Sequence, residues 1–402
     1  LKPFWLKQIL SRAILPIQLI FRGLGAVDRL SAMGLGGTCF KCSALLVALF
    51  AIFIGALISG ALKRTGIFRW ADKFEGSRGQ FFKGFFPAMH EDTPWGFTLE
   101  EIPDLTGQTV FVTGANVGLG YWTAYHLAAK NATVIIGCRS QKKCDDAAAT
   151  ILDQTGTAVE TTLLDLSSFA SVRACAEQVS VKHPTLDSLN LNAGVMVPPF
   201  GLTKDGLETQ IGTNHFGHFL LTQLLLPQLK TAASAKGVAT VVSVSSAAHF
   251  DSYPEGILPT IERMNDEASY DRGKAYGQSK LANVLFAQEL AARVKDSNIL
   301  VNSVHPGGVD TELGRHIADM IKKVSPAVAK SLKELMGNAA WHPRDAALTQ
   351  IYASVGPSLK QNKVTGKYFH PIARLTTPDP HAQNSTLQSS LWSLTEAYLS
   401  RH

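Results

Sequence analysis

The stretch Thr109-Val-Phe-Val-Thr113-Gly114-Ala115-Asn116-Val117-Gly118-Leu119-Gly120 decides the fold. Thr109–Thr113 is a short run of β-branched and aromatic residues and reads as a strand. Residues 119–129 have the spacing of a helix. Gly114, Gly118 and Gly120 punctuate the join. Glycines there permit a tight turn and a close approach of backbone N–H groups to a pyrophosphate. The N-terminus of the following helix adds a field that favours phosphate. A glycine triplet alone is a weak signal, but its place between strand and helix raises it considerably. Gly114, Asn116, Gly118, Leu119 and Gly120 are therefore expected to line a dinucleotide site.

Working outward, the same pattern repeats. Residues 133–137, 159–164, 186–192, 240–244 and 300–304 read as strands with helical stretches between them. Repeated βα alternation predicts an α/β fold, a parallel sheet with helices on both faces. The expectation is a Rossmann-type doubly wound parallel sheet. The end of the second strand selects the dinucleotide. An acid there would hold the ribose 2′-hydroxyl of NAD, whereas this chain has Cys138-Arg139-Ser140. Arg139 can pair with a 2′-phosphate, so the expected cofactor is NADP(H), with Ser140 and Lys143 assisting.

Charge is unevenly spread over the 402 residues. Residues 1–90 hold 12 Lys and Arg against Asp28, Asp72 and Glu75, a net charge of +9, and the remainder carries −3. With 46% hydrophobic residues a disordered chain is excluded, and five cysteines are too few for a disulfide scaffold. The basic quarter is interleaved with Phe, Trp and Leu, which suggests membrane lipid as its partner. No nucleic-acid-binding motif accompanies it, so nucleic acid is not expected as a partner.

Residues 43–62, SALLVALFAIFIGALISGAL, carry no charge. A helix needs about 20 apolar residues to cross a bilayer core, and this run meets that length. Lys41 precedes it and Lys63 and Arg64 follow. It is too long and too far from the N-terminus for a signal peptide. Residues 3–22 form a second apolar, cationic stretch, interrupted by Pro16 and read as an interfacial helix. The chain begins at Leu1, which suggests processing or incomplete representation. The expected organisation is a membrane-surface segment over 1–42, a transmembrane helix over 43–62, a connector over 63–104 and a Rossmann domain over 105–402. Localisation would be a single-pass organelle membrane, with endoplasmic reticulum, plastid and mitochondrion undistinguished. Cys39 and Cys42 form a lone CxxC without the further ligands of a zinc site. Cys138, Cys144 and Cys175 read as ordinary reduced thiols.

Five motifs in order then point to one family. They are TGANVGLG over 113–120, Asp165-Leu166, Asn192-Ala193-Gly194, Tyr276-Gly-Gln-Ser-Lys280, and His305-Pro306-Gly307 with Thr311. From about Thr106 to Leu399 the chain resembles the short-chain dehydrogenases/reductases. CRS over 138–140, NHFGHF over 214–219, YGQSKLANVLFAQEL from Tyr276 and GKYF over 366–369 resemble the retinol dehydrogenase branch and its plant plastid-envelope relatives. Leu191 departs from the usual double Asn, and Ser243 stands where the branch often has Asn.

The resemblance implies an enzyme and assigns roles. Asp165 and Leu166 would contact the adenine, and Asn192, Ala193 and Gly194 would close over the cofactor. Pro306, Gly307 and Thr311 would lie beside the nicotinamide. Tyr276 would exchange a proton with the substrate oxygen, and Lys280 would bind the nicotinamide ribose. Ser246, with Ser245 as runner-up, would position that oxygen, and Asn214 would support a proton relay to Lys280. Tyr276 and Lys280 are four apart in a helical stretch and share one face. The ammonium is expected to bring the phenol closer to working pH. No metal is required, since His215, His218, His249 and His305 form no recognisable ligand set. The sequon Asn384-Ser385-Thr386 has no meaning if this domain faces cytosol, stroma or matrix.

Substrate recognition is expected from residues 247–273 and 312–342. In the second, Ile317, Met320, Ile321, Val324, Val328, Leu332, Leu335 and Met336 recur at near-helical spacing. That stretch reads equally as a helix packed on the domain or as a lid over an apolar substrate. The functional expectation is a membrane-anchored, NADP(H)-dependent oxidoreductase. It would interconvert carbonyl and alcohol on a lipophilic substrate: retinoid-like, sterol, fatty carbonyl or tetrapyrrole. The rival is an accessory, scaffold or redox-sensing subunit that binds NADP(H) with little turnover. Its membrane-complex partner would engage residues 1–100.

Overall fold

The structure, a computed structural model, describes residues 96–309, 313 and 340–402. The expected membrane segments, Cys39, Cys42, Thr311 and nearly all of residues 312–339 lie outside the described residues. Among the described residues no helix is long and apolar enough to cross a membrane.

Eight strands form one sheet. They are β1 Thr109–Thr113, β2 Thr133–Cys138, β3 Glu160–Leu163, β4 Ser188–Leu191, β5 Ala239–Val244, β6 Ile299–Val304, β7 Tyr368–His370 and β8 Arg374–Thr376. Their spatial order is β3-β2-β1-β4-β5-β6-β7-β8. Every neighbouring pair is parallel except β7 with β8. The parallel doubly wound sheet expected from the βα alternation is therefore present.

The principal helices are α1 Gly118–Ala128, α2 Gln141–Thr155, α3 Phe169–Lys182, α4 Gly217–Lys236, α5 Arg272–Arg293, α6 Leu348–Val355 and α7 Ser385–Leu399. Strand side chains alternate between two faces. Val110 and Val112 pack in a core with α1, α2 and α6, through Leu127, Ile151 and Ile351. Phe111 points the other way, into a core with α3, α4, α5 and α7, through Val172, Leu225, Leu285 and Trp392. Both faces of the sheet are thus covered, which is why the strands read as near-continuous apolar runs. Phe97 and Ile102, ahead of residue 105, are buried in the first of these cores.

The chain lays down β1, β2 and β3 in one direction, then crosses to β4 on the far side of β1. An open α/β sheet receives its ligand at such a reversal, at the C-terminal ends of the strands. The glycine turn after β1 and Asn192-Ala193-Gly194 after β4 both open there.

Candidate active site

The glycine turn is built for close approach. Gly114 has φ +67°, and a Cβ on it would lie 2.8 Å from Ala193 Cα. Gly120 has no room either, since its Cβ would lie 2.6 Å from Gly114 O and 2.5 Å from Asn192 Nδ2. Gly118 adopts φ +61°. The N-cap of α1 is Val117, which offers no side-chain acceptor to the first-turn N–H groups. Those groups are the ones a helix leaves unsatisfied. Asn116 and Leu119 flank them. The turn therefore fits a pyrophosphate, as its sequence implies.

Asn192 latches this turn to β4. Its Nδ2 donates to Thr113 O at 2.8 Å, and its Oδ1 accepts from Gln350 Nε2 at 3.3 Å. At the end of β2, Arg139 and Ser140 are both exposed. Ser140 is the N-cap of α2 without spending its hydroxyl on the cap. Arg139 makes no ion pair among the described residues. Both side chains are available to a 2′-phosphate. One expectation beside them is corrected: Cys138 and Cys144 are joined in a disulfide, and Cys175 alone is free among the described cysteines. The bridge is possible because Cys144 lies in the first turn of α2, which folds back over the end of β2. It brackets Arg139 and Ser140.

Asp165 sits where an adenine contact is expected, with Leu166 buried beside it. Its carboxylate accepts from Ser167 Oγ at 2.6 Å and pairs with Lys204 Nζ at 3.1 Å. Partial burial works to raise its pKa, but the Ser167 hydroxyl and Lys204 outweigh that and hold it low.

The groups expected to react converge from β5 and α5. Asp271 caps α5 by accepting from Lys274 N at 2.9 Å, which fixes where the helix begins. Tyr276 and Lys280 then share a buried face, with Nζ 5.8 Å from the centre of the phenol ring. Gly277 lets that face meet the loop after β5, because a Cβ there would lie 2.2 Å from Asp251 O. That contact carries the loop bearing Ser246 to the Tyr276 face, close enough for the Ser246 hydroxyl to lower the pKa of the phenol. Ser246 Oγ also accepts from Ala248 N at 3.1 Å. Ser245 turns away and spends its hydroxyl on Lys280 O at 2.7 Å, which leaves the Ser246 hydroxyl as the donor the site can offer.

Burial pushes the Tyr276 phenol up to about 12, with the Ser246 hydroxyl pulling it down. Burial also pushes the Lys280 ammonium down to about 8. The expectation that Lys280 draws the phenol toward neutrality is thus not met here. Desolvation of a buried phenolate dominates, and Lys280 Nζ is turned toward Val244 O at 3.0 Å.

Asn214 lies in a π-helical turn, Gly212–Phe216, ahead of α4. Such turns are frequent at functional sites. Its side chain accepts from Val195 N at 2.8 Å and donates to Val195 O at 3.0 Å and Ser279 Oγ at 2.9 Å. A Cβ on Gly194 would lie 3.1 Å from Asn214 Oδ1 and 3.4 Å from Lys280 Nζ. Asn214, Gly194 and Lys280 therefore meet around one point. Pro306 and Gly307 follow β6 at the same end of the sheet. Gly307 needs its φ of +94°, and a Cβ there would run into Trp341 at 2.4 Å.

Four residues escaped sequence reasoning. Asn283 Nδ2 shares the Val244 carbonyl with Lys280, at 3.0 Å. Gln350 holds Asn192. Thr113 and His218 join the site from β1 and α4. Each has a partner far off in sequence, so spacing carries no signal of that contact.

A phosphate-cradling turn facing a Tyr, Lys, Ser and Asn cluster defines a dinucleotide-dependent oxidoreductase. The short chain dehydrogenase profile matches residues 108–258 and 260–322. The chain belongs to the short-chain dehydrogenase/reductase family. It is 40% identical over 288 residues to the short-chain dehydrogenase TIC 32 A, chloroplastic, of Brassica napus, covering 71% of this chain and 86% of that one. It is 40% identical over 294 residues to human retinol dehydrogenase 12, covering 72% and 85%. Among solved structures, an uncharacterised protein from Mycobacterium paratuberculosis matches with TM-score 0.57 and 33% identity over 76% of this chain and 98% of that one. The Pseudomonas aeruginosa RhlG/NADP active-site complex matches with TM-score 0.51 and 26% identity, over 68% and 96%.

Proposed function

We propose that this protein is a membrane-anchored, NADP(H)-dependent reductase or dehydrogenase acting on a lipophilic carbonyl or alcohol. The observation that carries the reading is that Tyr276 and Lys280 share one buried face of α5, against which the loop bearing Ser246 packs through Gly277. NADP(H), when bound, supplies or receives the hydride. The chain's own part is proton handling and orientation. Tyr276 Oη, held protonated at neutral pH by burial, gives its proton to the substrate oxygen in reduction. Ser246 Oγ hydrogen-bonds the same oxygen and fixes its place. Lys280 holds the ribose, and Asn214 fixes the Val195 backbone beside it. Arg139 and Ser140 support the choice of NADP(H) over NAD(H), with the glycine turn and Asp165 holding the rest of the dinucleotide.

An apolar substrate is supported by the wall beside the site. Val195, Met196 and Val197 are half-buried. Their backbone is tied down by Asn214 and by Gln210 Oε1, which accepts from Val197 N at 2.9 Å. Phe200 and Tyr270 pack edge-on beyond them at 5.3 Å. The uncharged run over 43–62 supports delivery from a bilayer, and the human relative is named for a lipophilic alcohol. An accessory subunit with little turnover has no use for a buried Tyr276 and Lys280 on one helix face.

The test is NADPH oxidation by detergent-solubilised protein against lipophilic aldehydes, ketones and small polar carbonyls. Turnover of the lipophilic members is expected. Turnover confined to the small polar ones would overturn the substrate assignment.

A further inference from the structure

His218 is a buried histidine that the proton chemistry above does not use. It sits on α4, four residues after Asn214, and only 2% of it is exposed. Nδ1 lies 3.0 Å from the main-chain carbonyl of Asn214. A carbonyl only accepts, so Nδ1 carries the hydrogen. Burial keeps the ring neutral, so Nε2 is an acceptor. The partner of Nε2 is Thr113 Oγ1 at 2.9 Å, which must therefore donate. The lone pairs of that hydroxyl accept from Asn192 N at 2.9 Å and Ala193 N at 3.0 Å.

The Thr113 proton also has Asn190 O at 3.3 Å as a longer second acceptor, and otherwise every proton in this chain has one direction. It runs from the backbone of Asn192 and Ala193 to Thr113, from Thr113 to His218, and from His218 to Asn214. Thr113 opens the glycine turn, Asn192 and Ala193 close over it, and Asn214 belongs to the catalytic cluster. No other side chain among the described residues bonds both Thr113 and Asn214.

We propose that His218 is a positioning residue whose two ring nitrogens lock the catalytic Asn214 segment in register with the dinucleotide turn. This rests on the oxidoreductase reading above. It assigns the two nitrogens separate duties. Nε2 orients the Thr113 hydroxyl and so shapes the cofactor turn. Nδ1 steadies the Asn214 carbonyl and so serves the reacting end.

The two duties can be separated by substitution. An Asn side-chain amide reaches about as far as Nδ1, and a Gln amide about as far as Nε2. His218→Asn keeps a donor to Asn214 and abandons Thr113. His218→Gln keeps a partner for Thr113 and abandons Asn214. Full-length wild type, both variants and Thr113→Val would be titrated with NADPH, followed by its fluorescence. Their turnover would then be measured at saturating NADPH with decanal as the carbonyl probe, and thermal midpoints recorded alongside.

His218→Asn is expected to weaken NADPH binding about tenfold, the effect of one buried hydrogen bond, with kcat per bound site largely kept. Thr113→Val should match it in binding. His218→Gln should bind NADPH like wild type and lose about tenfold in kcat. A merely structural histidine would lower the thermal midpoint in both variants and leave NADPH affinity and kcat per bound site unchanged. That result, or equal losses in the two variants, overturns the proposal. Wild type that fails to bind NADPH overturns the oxidoreductase reading itself. Wild type that binds NADPH without reducing decanal leaves the affinity comparison of the two variants to decide.

Discussion

Arg139 shows how much one residue can decide and how little of its setting the sequence discloses. Its position after β2 was legible, because the distance from the glycine turn puts it where a contact to the cofactor ribose is expected. Replacing Arg139 with Glu should exchange a partner for the 2′-phosphate for a repulsive carboxylate. NADPH affinity should fall about tenfold to a hundredfold, and NADH affinity should rise. Comparative titration with the two nucleotides checks this, and unchanged preference would remove Arg139 from the cofactor site. Tyr276, Lys280 and Ser246 were legible because YGQSK and the serine run resemble the family's motifs, and spacing added only that Tyr276 and Lys280 share a helix face. Thr113, His218, Asn283 and Gln350 were not, since the bonds Asn283–Val244, Thr113–His218 and Gln350–Asn192 join residues 39, 105 and 158 positions apart. The pKa of Tyr276 was misread for a related reason. Sequence shows an ammonium nearby but not the desolvation around it.

At the scale of elements, alternation of short strands and helices was enough for β1 to β6, whose runs are four to six residues. β7 and β8 are three residues each and lack the length that makes a pattern. The join between β2 and α2 was the other omission. Cys138 and Cys144 are six apart, and only the fold of α2 back over the strand brings their sulfurs together. Closing so small a loop contributes about 2 kcal/mol by restricting the unfolded chain. Cys144→Ser should lower stability by about that amount in urea titration, and reductant should have no further effect on the variant. A variant as stable as wild type would show that the bridge adds nothing to this element.

At the scale of the whole molecule, three buried histidines tie folding to pH. Burial pushes His215, His218 and His249 from 6.5 down to about 3. Between those values the unfolded chain binds protons that the folded chain excludes. The stability is therefore complete above pH 6.5 and is lost as pH falls toward 3. Each group contributes a slope of about 1.4 kcal/mol per pH unit within that window. His215 bonds Thr395 Oγ1 at 3.0 Å and packs among Phe216, Phe219 and Phe286. His215→Phe should reduce the loss between pH 6 and 5 by one such increment, read from urea midpoints at each pH. An unchanged slope would mean that His215 is protonated in the folded state. The basic N-terminal quarter belongs to this scale too, because charge asymmetry along the chain is visible only when the whole sequence is counted.

The central claim is that Tyr276 governs hydride transfer from NADPH to a carbonyl at this site. The direct measurement follows deuterium from NADPH labelled at the nicotinamide C4 into the alcohol product, by mass spectrometry, for wild type and Tyr276→Phe. The account predicts label at the carbinol carbon with wild type. It predicts at least about a thousandfold less product with the variant, although NADPH binding is retained. Label transferred equally well by Tyr276→Phe, or bound NADPH that labels no carbonyl offered, would contradict it.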